Sequence, residues 1–165
     1  MTYQDVLTMQ ECKIGDITAH SLTAAHAYKV AKFKAELRRL SECYQNMRNQ
    51  LPREAGVEDP QAFDTRMTEL DKKAQEGKLT KAEQNEYDEL NPKRVRFAEL
   101  LNNLLDEEPQ HDIKAMPYEE WKALQDENRN VICEVTDNNG QKKQLELLMV
   151  VEPILMNILW AEPTD

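Results

Sequence analysis

Between residues 30 and 51 the apolar side chains Val30, Phe33, Leu37, Leu40, Tyr44, Met47 and Leu51 recur at alternating spacings of three and four. Three heptads of this kind place all seven groups on one face of a helix. Leu22 and Ala25 carry the pattern upstream, with Thr18 or Ser21 as N-cap, so a helix is expected over about 20–51, roughly 48 Å long at ~1.5 Å per residue. A rod of that length cannot bury its own seam; it needs an antiparallel neighbour or a second copy of itself. Pro52 and Gly56 close it. Asp59-Pro60 then reads as an N-cap followed by proline at the first helical position, and Phe63, Met67, Leu70 and Ala74 continue at helical spacing until Gly77. The break is short, which predicts an antiparallel return and a long helical hairpin over 18–76.

Thr80-Lys81-Ala82-Glu83 is a capping box and opens a helix to about Leu90. Asn91-Pro92 repeats the cap-plus-proline signal and predicts a new helix whose Phe97, Leu100, Leu101, Leu104 and Leu105 must be buried. Between Gln110 and Met116 the pattern is too short to assign. Pro117 seeds a short helix over Tyr118–Gln125, with Trp121 and Leu124 inward, and the polar run 125–130 reads as a linker. Val131–Thr136 is β-branched and alternating, Asp137-Asn138-Asn139-Gly140 is a turn signal, and residues 141–147 supply a return strand. Such a hairpin is marginal alone and must lean on helices, and its edge is a candidate for strand addition. In the apolar C-terminal segment Leu148, Val151, Leu155, Ile158 and Leu159 share a helix face, with Pro153 kinking or restarting the helix. The expected fold is mainly α, a long helical hairpin or small helical bundle with one short antiparallel β-hairpin near the C-terminus. It forms one domain over 1–165, with 18–76 as the helical hairpin and 80–165 as the helices, β-hairpin and apolar C-terminal helix.

Composition changes this picture little. The chain has 165 residues, 40% apolar and 32% charged. Its longest apolar run, Leu147–Val151, is far below the roughly 20 residues of a membrane helix. The first sixteen residues lack the basic-then-apolar layout of a signal peptide, so a cytoplasmic location is expected. Charge is more informative. There are 31 acids against 21 bases, and while 20–53 sums to +5, 54–90 sums to −6 and 91–128 to −4. The bases Lys29, Lys32, Lys34, Arg38, Arg39, Arg48 and Arg53 suggest a phosphate-binding patch, or else a helix facing the acids Glu58, Asp59, Asp64, Glu69 and Asp71. The second is preferred, because a chain of formal charge −10 is repelled by polyanions at long range.

Candidate chemistry is sparse. His20 and His26 are six apart and point to different sides of a helix, so they cannot share a metal. His111 beside Asp112 is a conceivable dyad, but an unrelated acid beside an exposed histidine is the commoner case. Cys12, Cys43 and Cys133 form no C-x-x-C pair, which argues against a zinc ribbon or a disulfide framework, and Cys43 and Cys133 read as small buried hydrophobes. The Asp137–Gly140 run has Met149 where a calcium loop needs its glutamate. Neither a phosphate loop nor a hydrolase signature occurs. No catalytic residue, metal ligand or cofactor is therefore assigned, and the chain is read as non-enzymatic.

The segment RFAELLNNLLDEEPQHDIKAMPYEEWKAL, preceded by a long helix and an acidic helical hairpin and followed by an apolar helix, resembles small helical accessory proteins of tailed bacteriophages. The resemblance implies a phage protein that acts by binding, against a host defence or nucleic-acid-processing protein, in the cytoplasm of a bacterial host. Glu83, Glu86, Asp88 and Glu89 are the partner-binding residues expected on its acidic surface, facing a protein with a basic groove. Direct nucleic-acid binding and membrane association are not expected. The alternative is a structural or assembly protein that self-associates as a homo-oligomer through the 30–51 seam.

Overall fold

The computed structural model describes residues 1–20, 23–113, 117–136 and 140–159. Ser21, Leu22, Met116 and the Asp137-Asn138-Asn139 turn lie outside them, as do the side chains of His26, Leu155, Ile158 and Leu159. The fold is mainly α. In chain order it comprises α1 (Tyr3–Glu11), a 3-10 turn (Ile14–Asp16), α2 (Ala24–Arg48), α3 (Leu51–Glu54), α4 (Pro60–Gln75), α5 (Lys81–Asp106), α6 (Tyr118–Glu127), β1 (Ile132–Thr136), β2 (Lys142–Glu146) and α7 (Leu147–Leu159). The chain divides into two compact units, Met1–Cys43 with Glu107–Asp165, and Tyr44–Asp106.

The first unit is built on a core of Val6, Met9, Cys12, Ile14, Ile17, Val30, Phe33, Leu37, Leu40, Trp121, Leu124, Cys133, Leu147, Leu148 and Val151. The first four seam positions of α2 are inside it. Helix α1 was not expected. Its signals are short but physical: Thr2 and Asp5 form a capping box, with Thr2 N–H donating to Asp5 Oδ2 at 2.8 Å and Asp5 N–H to Thr2 Oγ1 at 3.2 Å. Tyr3, Val6 and Met9 then repeat every three residues and are all buried. After α1 the chain turns through Lys13, which adopts a left-handed φ of 60°. Lys34 Nζ reaches across to the Gly15 carbonyl at 2.7 Å and the Ile17 carbonyl at 2.5 Å, holding this turn against α2.

The run expected to be a linker is a structural joint. Helix α6 continues to Glu127, and Asn128, its C-terminal cap, is 2% exposed. Asn128 Oδ1 accepts from Thr18 N–H at 2.7 Å, and its Nδ2 donates to the carbonyls of Thr18 at 2.9 Å and Leu124 at 2.8 Å. Glu127 adds bonds from the Thr18 hydroxyl and His20 N–H. Thr18 therefore serves this joint rather than capping α2, which begins at Ala24.

The strands pair antiparallel, Ile132 opposite Glu146 and Thr136 opposite Lys142, and Leu147 N–H donates to the Val131 carbonyl at 2.9 Å. Cys133 is buried on this hairpin, and Leu147, Leu148 and Val151 place the first turns of α7 in the core. Helix α7 does not restart at Pro153 but is continuous across it. The thiol of Cys12 is hydrogen-bonded to that of Cys133, and burial followed by that bond pushes its pKa up to about 11. The Cys12 thiol is therefore a poor nucleophile at neutral pH.

In the second unit Tyr44, Leu51, Ala55, Val57, Met67, Leu70 and Leu104 are buried, and Met47 is half-buried. Leu51 does not belong to α2. Asn49 N–H still bonds back to Gln45 O at 3.0 Å, but Gln50 N–H turns to the Met47 carbonyl at 2.9 Å, so α2 stops at Arg48 and Leu51 opens the short α3, with Pro52 in its first turn. At Asn91-Pro92, by contrast, the expected break does not occur, and α5 is continuous from Lys81 to Asp106. Pro92 and Asp88 are both exposed, so water can satisfy the Asp88 carbonyl that proline leaves unpaired. The flanking residues are also tied down, Asn91 and Tyr87 each accepting from Arg94 Nη2 at 2.7 and 3.2 Å. Of the apolar residues expected to be buried on α5, only Leu104 is; Phe97, Leu100, Leu101 and Leu105 are half-buried. A unit this small has little interior to offer.

Candidate functional site: the α4–α5 hairpin

Helices α4 and α5 form a hairpin in which the start of α4, its end and the start of α5 each have a local cause. Asp59 caps α4 by accepting from Ala62 N–H at 3.0 Å, and Pro60 follows at the first helical position. Gly77, at φ 65°, closes α4: Gly77 N–H donates to Ala74 O at 3.0 Å and Lys78 N–H to Lys73 O at 2.9 Å. Thr80 then starts α5, its hydroxyl accepting from Glu83 N–H at 3.3 Å while the Glu83 carboxylate accepts from Thr80 N–H at 3.0 Å.

Side chains then tie the two helices together. Lys73 pairs with Glu83. Arg66 holds Glu86 through two parallel bonds, Nε to Oε1 at 2.8 Å and Nη2 to Oε2 at 2.6 Å, and reaches Glu69 at 2.9 Å. Arg94 bonds to Asp71 at 2.6 Å, and its guanidinium lies 5.9 Å from the Tyr87 ring centroid. Lys73, Arg66 and Arg94 were not singled out in the sequence, although Lys73 lies one helical turn before the Gly77–Thr80 turn and Glu83 just after it.

Of the five acids expected to face the basic stretch of α2, three are engaged within the hairpin: Asp71 by Arg94, Glu69 by Arg66, and Asp59 as a cap. Several bases of α2 have local partners of their own. Arg38 pairs with Glu42 at 3.2 Å and Arg39 with Glu36 at 2.7 Å, while Lys32 sits 5.5 Å from the Tyr28 ring centroid.

The four acids proposed to bind a partner therefore divide. Glu83 and Glu86 are hairpin clamps. The Lys73 ammonium, then the Thr80 amide and hydroxyl, hold the Glu83 carboxyl down to about 2, and Arg66 holds Glu86 below the usual carboxylate range. Asp88 and Glu89 are exposed. Asp88 accepts from Gln84 Nε2 at 2.8 Å, and neither acid has a cationic partner among the described residues. Farther along α5 are the exposed Val95 and the Arg96–Glu99 pair at 3.5 Å. A depression of about 460 Å³, open to solvent, runs along α4 beside Asp59, Thr65 and Arg66.

These clamps predict a pH dependence. A carboxyl whose folded pKa is lowered stabilises the fold above its unfolded value and loses that contribution as pH falls. The melting temperature is expected to drop as pH falls from the ordinary glutamate value of 4.5 toward about 2. Circular dichroism melts should show a shallower fall for E83Q/E86Q than for the native chain.

The other candidates are placed as follows. Asp112 N–H donates to Glu36 Oε1 at 3.1 Å, and Arg39 donates to the Gln110 carbonyl at 2.9 Å, pinning this loop to α2. Nδ1 of His111 is buried and makes no hydrogen bond, so that nitrogen is not joined to Asp112 in a dyad. Cys43 is half-buried, with Arg39 Nη1 3.9 Å from its sulfur. Among the described residues no group of three His, Cys, Asp or Glu side chains is placed to hold a metal ion. No protein-family model matches the chain, and no curated protein and no solved structure matches it.

Proposed function

We propose that this chain is a non-enzymatic protein-binding module, in the manner of a phage-encoded accessory protein, that presents α5 to a host defence or nucleic-acid-processing protein with a basic groove. One observation supports this most: the hairpin spends Glu83 and Glu86 on its own lysine and arginine yet leaves Asp88 and Glu89 exposed without a cationic partner. Clamped on either side of residues 88 and 89, by Glu83 and Glu86 before them and Arg94 after them, α5 offers those carboxylates on a held stretch of helix, so little conformational freedom is lost on docking. Their charge steers a basic partner and disfavours direct contact with nucleic acid. A bacterial cytoplasm is the setting this reading implies; among the described residues no helix is long and apolar enough to cross a membrane. Self-association through the 30–51 seam is less favoured, because Val30, Phe33, Leu37 and Leu40 are already packed within the chain's own core.

A photo-activated cross-linker placed at residue 89, with a control at the exposed Glu42 of α2, tests the reading in host lysate. One discrete protein adduct from position 89 and none from position 42 is expected. Equal, diffuse labelling from both would refute it.

A further inference from the structure

The β-hairpin carries a second surface, separate from α5. In an antiparallel pair, opposed residues alternate between exchanging two backbone hydrogen bonds and exchanging none. The bond from Leu147 N–H to Val131 O sets the phase, so Cys133 with Leu145 and Val135 with Lys143 are the exchanging pairs. The backbone groups of Lys142, Gln144 and Glu146 therefore point away from β1. Along β2 the side chains from Lys142 to Leu145 are exposed, and among the described residues no third strand lies beside it.

We infer that this free edge pairs with β2 of a second copy of the chain, antiparallel about a two-fold axis at Gln144, to make a continuous four-stranded sheet. In that register Gln144 meets Gln144 of the second copy and Lys142 meets its Glu146. All three outward-facing residues fall in exchanging pairs, so the free amides of one edge meet the free carbonyls of the other. Charge selects the same arrangement. Lysine stands at one end of β2 and glutamate at the other, so antiparallel pairing sets opposite charges across from each other, whereas parallel pairing sets like on like. The outer edge of β1 is a worse candidate: the equivalent two-fold there would place Glu134 against Glu134. An added strand on each side also relieves the marginal stability of a two-stranded sheet.

An interface of one strand edge is small, so the dimer is weak. Sedimentation equilibrium of the full chain up to about 500 µM should show the weight-average mass rising from one chain toward two, as fits a small interface. E146K places lysine opposite lysine twice and should weaken the dimer about tenfold or more. The double variant K142E/E146K should restore it, since the swap removes the exposed Lys142–Glu134 pair equally from monomer and dimer. Q144P removes only an outward-facing N–H, so it should abolish the dimer while leaving the circular dichroism spectrum and melting temperature unchanged. A chain that stays at the mass of one copy at the highest concentration would overturn the inference. So would a dimer that survives Q144P and is indifferent to E146K.

Discussion

Replacing Asn128 by aspartate is expected to destabilise the unit that carries it by about 3–5 kcal/mol at neutral pH, the range for a buried charge whose partners cannot compensate it. The change keeps the volume but exchanges Nδ2, which donates to two carbonyls, for an oxygen that repels both. The other oxygen still accepts from Thr18 N–H. Burial and the two facing carbonyls raise the folded pKa of the new carboxyl above its unfolded value. The penalty is therefore present above that folded pKa and shrinks as pH falls and the group protonates. Asn128→Ala has no such pH dependence and should cost about 2–4 kcal/mol, since it leaves the Thr18 amide and two carbonyls short of partners. Urea denaturation followed by tryptophan fluorescence, at neutral and mildly acidic pH, distinguishes the two variants.

Leu37→Ala is the second large effect. Leu37 is fully buried in the core that α2 shares with α1, α6 and the start of α7. Removing three carbons there costs the transfer free energy of the side chain plus that of the cavity left behind, about 2–5 kcal/mol. Leu37→Met, which nearly conserves volume, should cost under about 1.5 kcal/mol. If Leu37 instead lay on a seam left open for a second copy, Leu37→Ala would change oligomeric state more than stability. The same urea titration at two protein concentrations separates these outcomes.

The start and end of α4 and the start of α5 were legible because their signals are local, although the sequence pattern predicts α4 to pair with α2. Asp59-Pro60, Gly77 and the Thr80–Glu83 box each act through backbone groups within four residues, so the sequence states the geometry directly. The same holds for the β-hairpin, whose alternation and turn residues place both strands. What was illegible depends on contacts distant in sequence. Asn128 looks like part of a polar linker until Thr18 is brought beside it. Pro92 looks like a helix break until Arg94 fastens the next turn to Asp71 and Tyr87, and solvent meets the carbonyl that proline abandons. Glu86 and Asp88 are equivalent acids in the sequence; only the position of Arg66 on the opposing helix makes one a clamp and leaves the other outward. Helix α1 was missed for a different reason: nine residues with three buried positions give too weak a periodicity to stand out beside the heptads of α2.

That division of the acids carries the functional reading, and paired charge variants measure it. With host lysate as the source of partners, D88K/E89K should keep the native melting temperature and lose the captured protein. E83Q/E86Q should melt lower while still capturing it at temperatures where it is folded. Capture by D88K/E89K at the native level, with its fold intact, would contradict the account.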